Sequence, residues 1–350
     1  MRLSFASAPA TESSTAKDAA QGAFQAPNDV RVAMVVEQMW QPVPGGSGTY
    51  ITNLAHSLRA QGVKVAGIAA RRSHNDPGSS AVGLETMPVR YANLPRPALY
   101  ESWNRLHSPL AEAILPASDL VHATTWAIPP TRKPLVVTVH DLAFLRNPEH
   151  FTKRGNSYFR KSLQRTIKEA QAVIVPSQAT ADDCYEAGID SERVHVIPHG
   201  VSVQEVSASQ IDLFRTAYGL SRPYVLWTGT REPRKNLPGL LHAFSRIAGE
   251  FPQLDLVLVG PSGWGDDAVE RQLIQAIGTS RVHVLGHLAQ DTLQQAYAGA
   301  RAFVFPSYWE GFGLPVLEAM AHSVPVVTSL GTSTAEVAGE CGILVEPSDP

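Results

Sequence analysis

The sequence predicts an α/β protein built from two Rossmann-like domains, and three observations carry that reading. At 350 residues the chain is long for one domain and comfortable for two. A strand, a glycine-bearing turn and a helix with apolar residues at helical spacing follow one another from Val30 to Leu58, and the same order returns from Tyr224 to Glu250. With 44% hydrophobic and 17% charged residues, there is enough apolar side chain to fill two cores.

Taken in order, residues 1–29 are rich in Ala, Ser, Thr, Gln and Pro without apolar periodicity, which predicts a disordered tail. The apolar stretch after Met1 is too short and too polar for a secretory signal. Val30 to Val36 is an apolar strand, followed by the turn Pro44-Gly45-Gly46-Ser47-Gly48 and a helix marked by Ile51, Leu54, Ala55 and Leu58. Amides of that turn can approach a phosphate or sugar, so Gly45 and Gly46 are candidate binding residues; a plain tight turn is the other reading. A G-x-G-x-x-G pattern is lacking, so no nicotinamide cofactor is expected, nor any other cofactor. Val63 to Ala70 and Asp119 to Ala123 read as strands with a helix over Glu101 to Leu115 between them, and Ser73 to Ala98 reads as irregular.

Leu135-Val-Val-Thr-Val139 is a buried strand that delivers His140 and Asp141 to the carboxyl edge of the sheet, where ligands gather in this fold class. His150 to Ala170 is a basic amphipathic helix carrying Lys153, Arg154, Arg160, Lys161, Arg165 and Lys168, a pattern that usually marks a solvated face. Ala172 to Val175 is a further strand, and Ser177 suits an N-cap. Pro198 and Gly200 stop a short strand from Arg193. The domain boundary is placed there, giving a first domain over 30–205 and a second over 206–350.

In the second half, Tyr224 to Thr228 runs into Gly229-Thr-Arg-Glu-Pro-Arg-Lys-Asn236 and a helix from Leu237 to Glu250. Arg234 and Lys235 thus stand at a strand's carboxyl end before a helix, where cations beside free amides can neutralise a diphosphate. Strands over Leu254 to Val259 and Val282 to Leu285 end in glycine-bearing loops, the second being Gly286-His287-Leu288. Ala302 to Phe305 is a strand closed by Pro306. Beyond it Gly311, Gly313 and Pro315 break any single helix through Glu310 and Glu318, leaving the first carboxylate on a loop and the second in early helical turns. Carboxylates beside a phosphate site suit the neutral hydroxyls of ribose or hexose. A glycoside hydrolase could use such a pair, but would have no use for Arg234 and Lys235 at a second helix start.

The net charge of −3 gives no pull toward nucleic acid. Cys184 and Cys341 fit neither a disulfide framework nor a metal spacing, and a convincing D-x-D is missing, so no metal is expected. No apolar run reaches the ~18 residues of a membrane span. A cytoplasmic location is expected, with peripheral membrane contact left open.

The run Glu310-Gly-Phe-Gly-Leu-Pro-Val-Leu-Glu318-Ala-Met-Ala resembles the E-x7-E signature of the retaining GT-B glycosyltransferases of family 4, also called group 1. The likeness extends from about Arg31 to Pro350 and includes Thr138-Val-His-Asp-Leu142, Val196-Ile-Pro-His-Gly-Val201 and Glu232-Pro-Arg-Lys-Asn236. It implies a GT-B architecture, two domains facing across a cleft, and transfer of a hexose, mannose being the guess, from a nucleotide diphosphate sugar such as GDP-mannose to a glycan or glycolipid acceptor. It also implies catalytic roles for His140, Arg234, Lys235 and Glu310. Substrate contacts are implied at Gly45, Gly46, Phe312, Gly313, Leu314 and Glu318, with the base near His287 and Leu288. Two departures stand out: Thr230 occupies the place where many relatives carry an Arg, which leaves Arg231 as a substitute, and relatives continue past Pro350 through further helices. The second departure keeps a catalytically impaired nucleotide-sugar-binding or partner-binding module as the alternative.

Overall fold

The structure, a computed structural model, describes residues 29–41, 44–72, 83–84, 87–263 and 267–350. The expected tail lies outside the described residues up to position 28. Two parallel sheets organise the chain. The first contains β1 (Arg31–Val35), β2 (Lys64–Ala69), β3 (Val89–Tyr91), β4 (Leu120–Ala123), β5 (Leu135–Thr138), β6 (Ala172–Val175) and β7 (Val194–Val196), in the spatial order β3-β2-β1-β4-β5-β6-β7. The second contains β8 (Tyr224–Thr228), β9 (Asp255–Val259), β10 (Val282–Gly286), β11 (Ala302–Phe305), β12 (Val326–Ser329) and β13 (Ile343–Val345), in the order β10-β9-β8-β11-β12-β13.

Both sheets are covered on two faces, which is why their central strands read as unbroken apolar runs. Along β1 the side chains alternate between two cores: Ala33 and Val35 pack with Trp103 and Phe144, whereas Met34 and Val36 pack with Ile51 and Ala55. In the second sheet all five residues of β8 are buried, with Trp227 and Tyr224 among the largest enclosed side chains. The strand order reverses between β1 and β4 and again between β8 and β11. Loops leaving the carboxyl ends of such strand pairs diverge to opposite sides and leave a crevice between them.

Several elements differ from expectation. The single helix over Glu101 to Leu115 is two helices, Arg96–Arg105 and Ala111–Ile114, because Pro109 interrupts the run. The stretch read as irregular contains β3, a three-residue edge strand. Gly45 and Gly46 belong to the first turn of a helix, Gly45–Ala60, instead of a turn before it. Within the polar segment after Gly200 stands a helix, Ala208–Ala217, started by a capping box between Ser207 and Gln210 and burying Phe214 in the second core.

Candidate active site

The β8 and β11 loops meet because their strands are neighbours at the reversal point. Asn236 adopts the left-handed region at φ 52°, its carboxamide oxygen capping helix Leu237–Ile247 by accepting from Gly239 N at 3.3 Å. Its amide group donates to the Pro306 carbonyl at 3.1 Å, pinning one loop to the other. Tyr308 N donates to Arg234 O at 2.9 Å, a second tie.

Held this way, Lys235 Nζ lies 2.7 Å from Glu310 Oε1, and Arg234 reaches Glu310 Oε2 at 2.5 Å and Glu232 Oε1 at 2.7 Å. Lys235 and Glu310 are 8% and 6% exposed, and Arg234 and Glu232 stand partly buried beside them. Burial opposes ionisation of Glu310, but Arg234 and Lys235 outweigh it and bring its pKa down to about 2. Burial likewise opposes the Arg234 charge, and Glu310 with Glu232 overcomes it, raising that group. At Lys235 burial wins and lowers the ammonium, even with Glu310 in contact. Glu310, one of the two carboxylates expected to meet sugar hydroxyls, therefore spends both oxygens on the cations expected to meet the diphosphate.

Gly313, at φ 99°, is the left-handed N-cap of helix Leu314–Ala321. A Cβ there would come within 2.6 Å of Thr334 Cγ2, so glycine is required twice over. Among the described residues no group takes up the amides of Phe312, Gly313 and Leu314, so the helix start keeps unpaired N–H groups of the kind that suit an anion. Glu318 accepts from Tyr297 OH at 2.8 Å; burial raises its pKa, with the tyrosine bond opposing.

The first domain contributes a group of histidines and hydroxyls, with Asp141 beside them. His140 Nε2 donates to the Thr124 carbonyl at 2.9 Å, which leaves Nδ1 as an acceptor, and burial holds the ring below its ordinary pKa. Asp141 accepts from Ala143 N at 3.0 Å, a local bond within the loop that follows β5. Around His140 stand Tyr50 at 5.0 Å and His199 at 5.8 Å between ring centroids, and His199 in turn lies 5.0 Å from Phe312. Tyr50 OH, Thr138 Oγ1 and His122 Nε2 form a hydrogen-bonded line at 2.9 and 2.8 Å. Burial pushes His122 and His199 down to about 4, with His140 adding to it.

Gly46 faces Leu314 across the domains, 3.5 Å from where its Cβ would stand, so these two expected binding residues are brought together. Gly311 packs on the main chain of His140 so closely that a Cβ would fall 1.8 Å from its carbonyl oxygen. A crevice of about 210 Å³ between the domains is lined by Asp141, His150, Phe151, Glu232 and Arg234.

Arg231 turns away to Ser262 Oγ at 2.7 Å and toward Glu270 at 3.6 Å, and takes no part in the Glu310 cluster. His287 is exposed, whereas the Leu288 side chain is buried in the second core, leaving only its backbone for a base. Sequence reasoning missed Tyr50 and His199. The His199 signal was present in the strand stop Pro198-His199-Gly200; Tyr50 reads as an ordinary helical residue.

Residues 44–205 match the family described as Glycosyltransferase Family 4, and residues 222–350 match Glycosyl transferases group 1. O-antigen chain mannosyltransferase B of Escherichia coli is 32% identical over 261 residues, covering 73% of this chain and 68% of that relative. The chain belongs to glycosyltransferase family 4. Serotype-specific mannosyltransferase WbdA of Escherichia coli is 34% identical over 230 residues, but this family-4 chain spans only 27% of its length. Among solved structures, Anabaena HepE in complex with UDP and glucose superposes with a TM-score of 0.69 at 23% identity, covering 91% of this chain and 86% of that one. WaaG, a glycosyltransferase of lipopolysaccharide biosynthesis, gives 0.69 at 19% identity over 91% and 87%. These likenesses show the GT-B fold expected from the sequence. With glycosyltransferases among both the relatives and the solved structures, the alternative of a catalytically impaired nucleotide-sugar-binding or partner-binding module is not favoured.

Proposed function

We propose that this glycosyltransferase moves a mannosyl group from GDP-mannose to a hydroxyl of a glycan or glycolipid acceptor, with retention at the anomeric carbon. The observation that supports it most is the Arg234–Lys235 cation pair beside the open amides of Phe312, Gly313 and Leu314, a charge pattern suited to a diphosphate. The mannosyltransferases among the relatives support the choice of sugar.

On this reading the diphosphate takes Arg234 and Lys235 as partners when the donor binds. Glu310 is freed toward the sugar, and Glu318 accepts from ribose. As the anomeric C–O bond breaks, the electron pair leaves with the diphosphate, and these preorganised charges stabilise it. The acceptor hydroxyl attacks from the same face and its proton passes to the departing phosphate oxygen. His140 Nδ1 orients a sugar or acceptor hydroxyl, and the His287–Leu288 backbone meets the base. Gly45 and Gly46 approach the donor from the first domain.

No described helix is long and apolar enough to cross a membrane. A surface groove of about 800 Å³ along helix Lys153–Glu169, lined by Lys153, Arg160 and Lys161, is the feature that would face an anionic membrane surface or acceptor in peripheral contact. The test is incubation with GDP-mannose, UDP-glucose, UDP-galactose and UDP-N-acetylglucosamine in turn, following nucleoside diphosphate release and the anomeric configuration of the product by NMR. Turnover with GDP-mannose giving an α-mannoside is expected; turnover with only another donor removes the mannose assignment.

A further inference from the structure

Helix Gln178–Glu186 belongs to the first domain, yet it grips the loop of the second domain that carries Glu310. Ser177, its N-cap, donates from Oγ to the Gly311 carbonyl at 2.6 Å, and Thr180 Oγ1 donates to the same oxygen at 3.1 Å. Both residues are buried, at 3% and 0% exposure. Further along the helix Asp183 binds Arg146 Nε at 3.0 and 3.1 Å, and the Arg146 guanidinium stacks 3.8 Å over the Trp309 ring. In the other direction, Glu336 of the second domain accepts the first free amides of this helix, Gln178 N at 2.8 Å and Ala179 N at 2.7 Å.

Carbonyls that follow one another in the loop are thus held from different domains. Ser333 Oγ donates to Glu310 O at 2.6 Å from within the second domain, while Gly311 O is taken by the first. A trans peptide puts its carbonyl and its N–H on opposite sides. With the Gly311 carbonyl turned into the first domain, the Phe312 N–H must point away from it, and among the described residues nothing takes that N–H up.

We propose that Ser177 and Thr180 are positioning residues for transfer: by holding the Gly311 carbonyl across the domain contact they orient the Gly311–Phe312 peptide so that its N–H meets the donor diphosphate. Contact between the domains then completes the donor site as well as shutting it. Only the last step rests on the donor reading above; the clamp itself stands on the two hydroxyls and the carbonyl. Two buried hydroxyl-to-carbonyl bonds, each worth about fivefold in an equilibrium, set the scale of the effect.

The experiment compares the wild-type chain with Ser177→Ala/Thr180→Val and with the hydroxyl-retaining Ser177→Thr and Thr180→Ser. It reads amide hydrogen exchange over residues 306–317 and steady-state kinetics with GDP-mannose, with melting temperature checking the fold. In the double variant, exchange of the loop is expected to speed up by about tenfold and kcat to fall by about tenfold to a hundredfold, with the donor KM within about threefold. The hydroxyl-retaining variants are expected to return both readouts to within about threefold of wild type, and they decide the matter if the double variant does not fold: a loss in them equal to that of a Thr180→Val single variant overturns the proposal. Unchanged exchange, or faster exchange with unchanged kcat, also overturns it. If the wild-type chain turns over no nucleotide sugar, faster exchange still supports the clamp and unchanged exchange still overturns it, while the donor reading fails separately.

Discussion

The two walls of the cleft solve different problems with different chemistry. On the second-domain wall, Arg234, Lys235, Glu232 and Glu310 form a buried ionic cluster in which every charge has a partner. On the first-domain wall, His122, His140, His199, Tyr50 and Thr138 form an uncharged hydrogen-bonded and ring-packed group, its histidines kept neutral by burial. Buried charge without partners is expensive, so on the proposed function the wall that takes the diphosphate stores its cations against carboxylates until the donor binds. A wall that takes neutral hydroxyls, the role proposed for the first domain, needs no such store. The contrast matches the proposed placement of the leaving group on the second-domain wall and of the acceptor on the first.

Removing charge from the second-domain wall should have the largest effect. Lys235→Ala is expected to lower kcat by about a hundredfold to a thousandfold, the cost of losing one preorganised charge at a developing anion. Glu310→Ala should match it in rate but also lower the melting temperature, because Lys235 is then buried beside Arg234 without its carboxylate while Arg234 keeps only Glu232. Rates and melting curves of both variants check this; similar stability for the two would show that the cluster does not act as a charge store.

Acid should break the walls one after the other. The folded pKa of His122 and His199 is about 4 against an ordinary 6.5, so below pH 6.5 the unfolded chain takes up protons first. Their stabilising contribution is complete above pH 6.5, declines as pH falls to about 4, and changes no further below that. Glu310, at about 2 when folded against 4.5 ordinarily, gives up its contribution only between pH 4.5 and about 2. Melting temperature followed from pH 7 to 4 should therefore drop, and His199→Gln should flatten the drop. A curve equally steep in the variant would remove His199 from the account.

The smallest effect is expected at Arg231. Because it is held by Ser262 and leans toward Glu270, Arg231→Ala should change kcat/KM by less than about threefold. A loss as large as that of Lys235→Ala would mean that Arg231 swings into the diphosphate site and that the second-domain wall extends further than it does here.

Most of the architecture was legible because each central strand is buried on both faces and must read as an apolar run. What escaped was structure fixed by few residues. β3 is three residues at a sheet edge inside a Pro- and Ser-rich stretch, and helix Ala208–Ala217 lies in a polar segment where only the Ser207–Gln210 spacing announces it. The pairing of Lys235 with Glu310 could be anticipated only as two loops near one crevice. That they bind each other directly depends on Asn236 tying the loops together, which spacing alone does not reveal. Tyr50 and His199 escaped for a related reason: they acquire meaning through contacts with Phe312 and His140 that are remote along the chain.

The decisive measurement is calorimetric titration of the wild-type chain and of Lys235→Met with GDP and with GMP. If the cation pair exists to meet a diphosphate, wild type should bind GDP more tightly than GMP by about a hundredfold, and Lys235→Met should lose most of that preference while binding GMP as before. An undiminished preference for GDP in Lys235→Met would contradict the account.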